Sequence, residues 1–469
     1  IMSILRRAVA VLGLIMLCVS LSMAQTASGT ISGYVEDGSG ARVPGAKIAI
    51  LHSATQQGRV VYTNERGDFI APMLPIGEYE VAAEFKGFKR KSLSGILLRV
   101  DQTVTLPIAI EPGNVTETVE VVSTAPLLES ETSSLGQVIE NKKVLDLPLN
   151  GRNVFALGLL AGFAVEVFGM GTNQTFAAGG GRFSGNEILL DGISNGTVMN
   201  AGSSGRNSVL YTPSVDALEE FKVKTNSFSA EFGHSAGAVV SATIKAGTNV
   251  PHGTLFHFLR NQRLDANNFF SNAAARPKAP YKQNQFGFAL GGPVFLPGLY
   301  NGRDRTFFFI DYQGTRRRTS SSSSIYDLAP MAFRAGDFST LSQRIYDPAS
   351  RRLGPAGTVI ADPFPGNVIP QIRQNPTSLA IETEIPVPNF GPPNSNGRNY
   401  FRQPPQRRNE DQFDVRIDRR LSSGNTMFGR FSFGNMVQPN PGSFAGQLST
   451  GNTQLQFSRH FVLNDVHVF

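Results

Sequence analysis

The sequence predicts a mainly β protein, and three observations carry that prediction. Apolar and polar residues alternate in short runs along most of the chain. Turn formers separate those runs at close intervals. The composition, with 48 Gly and 34 Phe but no Trp among 469 residues, suits strands and turns better than helices.

The first 24 residues stand apart. Arg6 and Arg7 precede an apolar stretch from Ala8 to Leu21, and Ser22-Met23-Ala24 offers small residues for a signal peptidase. This predicts a cleaved leader, with the cut between Ala24 and Gln25. The apolar stretch is shorter than the roughly 20 residues of a transmembrane helix. The one cysteine, Cys18, follows the bulky Leu17, which argues against a lipoprotein and leaves the mature chain without a thiol. No disulfide framework, zinc-thiolate site or cysteine nucleophile is then available. Loss of Arg6 and Arg7 lowers the net charge from +7 to +5, and pairs such as Arg351-Arg352 and Arg407-Arg408 are expected in polar loops. That mild balance gives no reason to expect nucleic acid as a partner.

From residue 28 to 112 the strand-turn spacing predicts a small sandwich. Thr30 to Val35 runs into Glu36-Asp37-Gly38-Ser39-Gly40, Val43-Pro44-Gly45-Ala46 leads into Lys47 to Leu51, and Leu74-Pro75-Ile76-Gly77 leads into Glu78-Tyr79-Glu80-Val81. These residues resemble the carboxypeptidase regulatory-like domain. The resemblance implies a seven-stranded transthyretin-like sandwich serving as spacer or docking module, without peptidase activity. A zinc peptidase is also excluded on chemical grounds. Histidines occur at 52, 234, 252, 257, 460 and 467 with no H-E-x-x-H spacing, and His252 and His257 would lie on opposite faces of a strand.

Residues 113–126 read as a linker containing one β-prone run, Glu117-Thr118-Val119-Glu120-Val121-Val122. It resembles a TonB box, which implies pairing with a TonB-type energy-transducing protein by strand addition. The other reading open at this point is a last strand of the sandwich. Beyond it, Leu147-Pro148-Leu149-Asn150-Gly151-Arg152, Glu187-Ile188-Leu189-Leu190-Asp191-Gly192-Ile193 and the segments Val215 to Val223 and Gly237 to Asn249 resemble the plug of TonB-dependent receptors, in particular the Oar-like group. The resemblance implies a small α/β plug domain over 127–249. Asp191-Gly192 reads first as a turn. Gly179-Gly180-Gly181 lacks the Lys-Ser/Thr of a phosphate loop and reads as a plug loop. Asp216 and Glu219-Glu220 are expected to open a short helical stretch. No residue is assigned a catalytic or metal-binding role, and no cofactor is implied.

From residue 250 onward the alternation is that of an antiparallel outer-membrane β-barrel. Phe413, Val415 and Ile417 would face outer-membrane lipid while Asp414, Arg416 and Asp418 face inward; Phe286, Phe288 and Leu290 form a second such set, and Phe308, Ile310 and Tyr312 a third. A polar stretch over about 315–408 reads as a long extracellular loop. A plugged barrel needs about 22 strands, yet 250–469 has room for six to eight, so the sequence reads as truncated within the barrel, and the terminal Phe469 as coincidental. The resemblance implies a receptor that takes up an unidentified small-molecule, glycan or peptide ligand by energy-coupled transport. A structural or adhesive surface protein of the same architecture is the alternative, and an enzyme is not expected.

Overall fold

The computed structural model describes residues 28–113, 118–122, 135–147, 149–166, 176–181, 185–196, 209–233, 235–273, 278–320, 324–392, 397–442, 444 and 451–468. The expected leader with its cut at Ala24 and Gln25, as well as Glu117, Pro148 and Phe469, lies outside them.

The N-terminal sandwich is built from β1 (Gly29–Glu36), β2 (Lys47–His52), β3 (Gly58–Tyr62), β4 (Asp68–Leu74), β5 (Gly77–Glu84), β6 (Arg90–Leu98) and β7 (Thr103–Ala109). One sheet has the order β4-β1-β7, with β1 and β7 parallel. The other has the order β3-β2-β5-β6 and gains a fifth strand, β8 (Thr118–Val122), parallel to β6. Along β1 and β2 every second residue is buried. Ile31, Val35, Ile48, Ile50, Tyr79, Val81 and Leu106 meet between the sheets in a core that is apolar throughout. Tyr79 keeps its hydroxyl satisfied by donating to the Pro75 carbonyl at 2.6 Å.

The middle of the chain forms a five-stranded sheet of β9 (Leu135–Glu140), β12 (Glu187–Leu190), β13 (Ile193–Ser194), β14 (Leu218–Asn226) and β15 (Val239–Ile244), in the order β13-β12-β15-β14-β9. A separate hairpin pairs β10 (Ala164–Glu166) with β11 (Phe176–Ala178). Phe155, Phe176, Ile188, Leu190, Phe221, Val223 and Val240 pack into its core. The expected helical stretch at 215–220 is only a 3-10 turn over Val215–Ala217, capped by the Ser214 side chain, and Glu219 and Glu220 already belong to β14. The correction has a physical cause. Phe221 and Val223 alternate with Glu220, Lys222 and Lys224, and this period of two commits the segment to the sheet once β9 and β15 flank it.

Six long antiparallel strands follow: β16 (His252–Asn261), β17 (Tyr281–Pro293), β20 (Thr306–Ser320), β25 (Pro405–Ser422), β26 (Asn425–Asn440) and β27 (Asn452–His467), ordered as listed in one open sheet. A hairpin of β18 (Phe295–Leu296) with β19 (Tyr300–Asn301) sits between β17 and β20. The long insertion is shorter than the 315–408 expected. Thr315–Ser320 and Pro405–Arg408 extend β20 and β25, so Arg407 and Arg408 lie in a strand, not in a loop. Within the insertion β21 (Ser324–Tyr326) pairs with β24 (Tyr400–Arg402), and β22 (Arg352–Leu353) with β23 (Val359–Ile360).

The alternation of the long strands separates two faces. Asp311, Gln313, Gln412, Asp414, Arg416, Arg430 and Ser432 are buried on the concave face, against the middle sheet. Phe308, Ile310, Tyr312, Phe413, Val415, Ile417, Phe431, Phe433, Phe461 and Leu463 share the convex face by register. No helix among the described residues is long and apolar enough to cross a membrane.

Candidate functional site

The turn after β12 is where the middle sheet meets the wall. Asp191 there adopts a left-handed backbone (φ 51°), followed by Gly192 (φ 82°), which lets the chain reverse into β13. Its carboxylate is buried. One oxygen accepts from the Ile244 amide at 3.0 Å and pairs with the Arg416 guanidinium at 3.4 Å; the other accepts from Arg430 Nε at 2.6 Å. Sequence reasoning took Asp191 for a turn residue. It is also the point through which two arginines of the wall hold the middle sheet.

Both arginines are held in turn from several sides. Arg416 donates to the Ile244 carbonyl at 2.8 Å and to Asp418 at 2.8 Å, and stacks over Phe428 at 4.2 Å. Arg430, 1% exposed, lies 3.8 Å from Asp414, donates to Ser432 and contacts His460 Nδ1 at 2.9 Å. Asp414 accepts from Ser432 and, at 2.7 Å, from the Tyr211 hydroxyl. Burial raises that phenol well above its ordinary pKa, so Tyr211 keeps its proton and serves as a donor. Asp311, directly opposite Asp414 on β20, accepts from Ser214 Oγ at 2.7 Å. Two carboxylates so placed repel, and the donors Tyr211, Ser214 and Ser432 together with Arg430 offset that cost.

A second contact uses the Leu147–Arg152 motif. Gly151 (φ 75°) and Arg152 (φ 54°) are both left-handed, which turns the chain tightly and aims Arg152 at the wall. Arg152 pairs with Asp216 and stacks over Phe258 at 4.3 Å and Phe256 at 4.8 Å. The Gly151 carbonyl accepts from Gln285 at 3.2 Å. Leu147 and Leu149 pack against the core of the middle sheet.

The sandwich grips the other end. Its β6–β7 turn, Arg99–Gln102, lies on the polar face of β14. Asp101 pairs with Lys224 at 3.0 Å, and its carbonyl accepts from Lys222 at 3.2 Å. Glu220 accepts from the Val100 amide, and Arg99 pairs with Glu140. Burial pushes Glu220 up to about 7, since the amide and nearby cations only partly replace the water it has lost. A cavity of about 340 Å³ remains between sandwich, middle sheet and wall, lined among others by His52, Ile76, Glu219, Thr248, Arg416 and Phe428. Burial raises the pKa of Glu219 there and lowers that of His52.

The described part of the TonB-box-like run lies beside the sandwich. Thr118 to Val122 pairs with Arg90 to Ser94 as the edge strand β8. Among the described residues no group of three His, Cys, Asp or Glu is placed to hold a metal ion.

Residues 243–469 match the outer membrane beta barrel domain and residues 30–111 the carboxypeptidase regulatory-like domain. Over 306 residues the chain is 25% identical to the TonB-dependent transporter Oar of Myxococcus xanthus. The alignment spans 63% of this chain and 28% of the relative, so the chain covers between a quarter and a third of the relative's length. Among solved structures it is similar to the outer membrane transporter YddB of Escherichia coli (12% identity, TM-score 0.42, 71% of this chain and 37% of that one). It is also similar to the ferric enterobactin receptor of Pseudomonas aeruginosa (13% identity, TM-score 0.35, 66% and 34%). The chain thus carries a regulatory-like sandwich ahead of strands that match the outer membrane beta barrel domain.

Proposed function

We propose that this protein is a receptor that takes up a ligand across the outer membrane by energy-coupled transport, with the middle sheet as a plug over 127–249. In this reading a leader ending at Ala24 is removed ahead of Gln25, the sandwich lies on the periplasmic side and the 321–404 insertion is extracellular. A TonB-type protein engages Glu117 to Val122.

The observation that carries the reading is the character of the plug–wall contact. Asp191, Arg416, Arg430, Asp414 and Tyr211 join the two through hydrogen bonds and ion pairs rather than through a shared apolar core alone. Polar contacts can be exchanged for water as a plug shifts, whereas apolar contacts can only be lost. The ligand class stays open among small molecules, glycans and peptides.

A structural or adhesive role is the second reading, and the docking of β8 on β6 favours it, because a paired strand offers a partner less free backbone. Binding of a purified TonB periplasmic domain separates the two. The transport reading expects binding by the intact protein that is lost when residues 117–122 are deleted, with surface adhesion unchanged. Equal binding with and without those residues would sink it.

A further inference from the structure

Register places three cations side by side on the convex face. Lys282 of β17 lies directly opposite Arg318 of β20, and Arg318 directly opposite Arg407 of β25, with Asn261 of β16 at the end of the row. Neighbouring strands are about 4.8 Å apart, so three positive charges fall within roughly 10 Å. Like charges directly opposite one another destabilise a sheet.

Nothing nearby offsets them. Among the described residues no ion pair reaches Lys282, Arg318 or Arg407; Arg318 donates only to the Arg317 and Arg408 carbonyls and to Asn409. Arg316, one step along the same face, differs in being neutralised by Asp411 at 2.7 Å. Lys282 and Arg407 are exposed.

Position along the strands indicates what the row would meet. The last convex row to carry phenylalanine is Phe286–Gly314–Asp411–Asn435–Phe457. Below it come Phe288, Tyr312, Phe413 and Phe433, the last two stacked at 4.9 Å. Lys282, Arg318 and Arg407 lie four residues beyond that row, about 13 Å along the strand. With a strand tilt of about 40° this is roughly 10 Å of height, comparable to the headgroup layer above a hydrocarbon core. The row stands at the insertion end of the strands, with the 321–404 segment between β20 and β25.

We propose that Lys282, Arg318 and Arg407 form a binding site for the phosphate groups of a phosphorylated glycolipid of the outer leaflet. The proposal rests on the outer-membrane orientation given above and goes beyond it by naming a headgroup chemistry. An anion bridging the three would remove the repulsion that the bare row carries, and Asn261 adds a neutral donor beside it.

The test uses the detergent-solubilised full-length protein and micelles doped with bisphosphorylated lipid A or with its dephosphorylated form. Heat-modifiable migration checks the fold of each variant. Arg318→Gln/Arg407→Gln removes two charges from the convex face; Arg317→Gln/Arg408→Gln removes the same number from the concave face of the same two strands. At roughly fivefold per cation near an anionic surface, the first pair should weaken lipid A binding about 25-fold, and adding Lys282→Gln about 100-fold. The concave pair should retain it, and dephosphorylated lipid should bind every variant weakly. Equal loss in both pairs, no loss in the convex pair, or displacement of lipid A by inorganic phosphate at micellar concentrations would overturn the proposal. If the Gln variants do not fold, the unmodified chain must still lose lipid A binding steeply as salt rises. Failure of the unmodified full-length protein to show heat-modifiable migration would instead overturn the membrane reading itself, a separate readout.

Discussion

The sandwich and the plug–wall contact are both buried, yet they are held in different ways. Between the sandwich sheets Ile31, Ile48, Ile50, Val81 and Leu106 meet side chains of their own kind, and Tyr79 is the main polar visitor. Between plug and wall the buried groups include Asp191, Asp311, Asp414, Arg416 and Arg430, beside the apolar Ala289 and Phe309. An apolar core tolerates small repacking and loses stability by degrees. A buried ionic network is sensitive to the loss of any single partner, because the remaining charge is left without solvent. The contrast separates a unit held by buried apolar area from a seam in which paired charges carry much of the contact.

The largest test of that contrast is Arg430→Ala. Removing the guanidinium takes from Asp191 its nearer cation and from Asp414 the only cation paired with it among the described residues, and the plug–wall unit should lose about 3–5 kcal/mol, read as a lower urea midpoint for the heat-modifiable form of the full-length protein while the sandwich melts unchanged. Joint melting of both would show one cooperative body. Ile48→Ala should cost the sandwich about 2–5 kcal/mol and leave the plug–wall midpoint alone, as differential hydrogen exchange over β2 and β26 would register. Asp101→Ala sits where the two regions meet. It leaves the buried Lys224 ammonium without its carboxylate, and should loosen the sandwich from the plug by about 1.5–3 kcal/mol, seen as faster proteolysis of the Arg99–Gln102 turn.

The smallest expected effect is on pH. Glu220 is raised from 4.5 to about 7 in the folded chain. A carboxyl whose folded pKa is raised favours the docked state below the unfolded value, and that contribution fades as pH rises from about 4.5 through about 7. Protection of the Val100 amide should therefore fall between pH 5 and pH 8, and Glu220→Gln should flatten the dependence. A steeper fall in the variant would contradict it.

The strand parity of the wall was legible from sequence because alternation is a local property. Phe413, Val415 and Ile417 on one side, with Asp414 and Arg416 on the other, needed no knowledge of neighbours. What the inward charges hold was not legible. Asp191 meets Arg416 and Arg430 across more than 200 positions of chain, and no local pattern marks such a pair. Glu219 and Glu220 misled for the opposite reason. Acidic residues close together favour a helix start locally, and only the flanking strands override it. Arg407 likewise reads as loop in a polar stretch until β20 supplies a partner for it.

The parallel pairing of β8 with β6 has a mechanical consequence. Five residues of β8 form this ladder, and its hydrogen bonds run between the strands, evenly spaced and slanted as in any parallel pair. A load applied along the strand axis is shared by the whole ladder at once, so the junction resists as a unit. The same load applied sideways opens it one rung at a time. The direction of pull, as much as its strength, then sets whether this segment comes away alone or drags the sandwich, with its Arg99–Gln102 turn, off the plug.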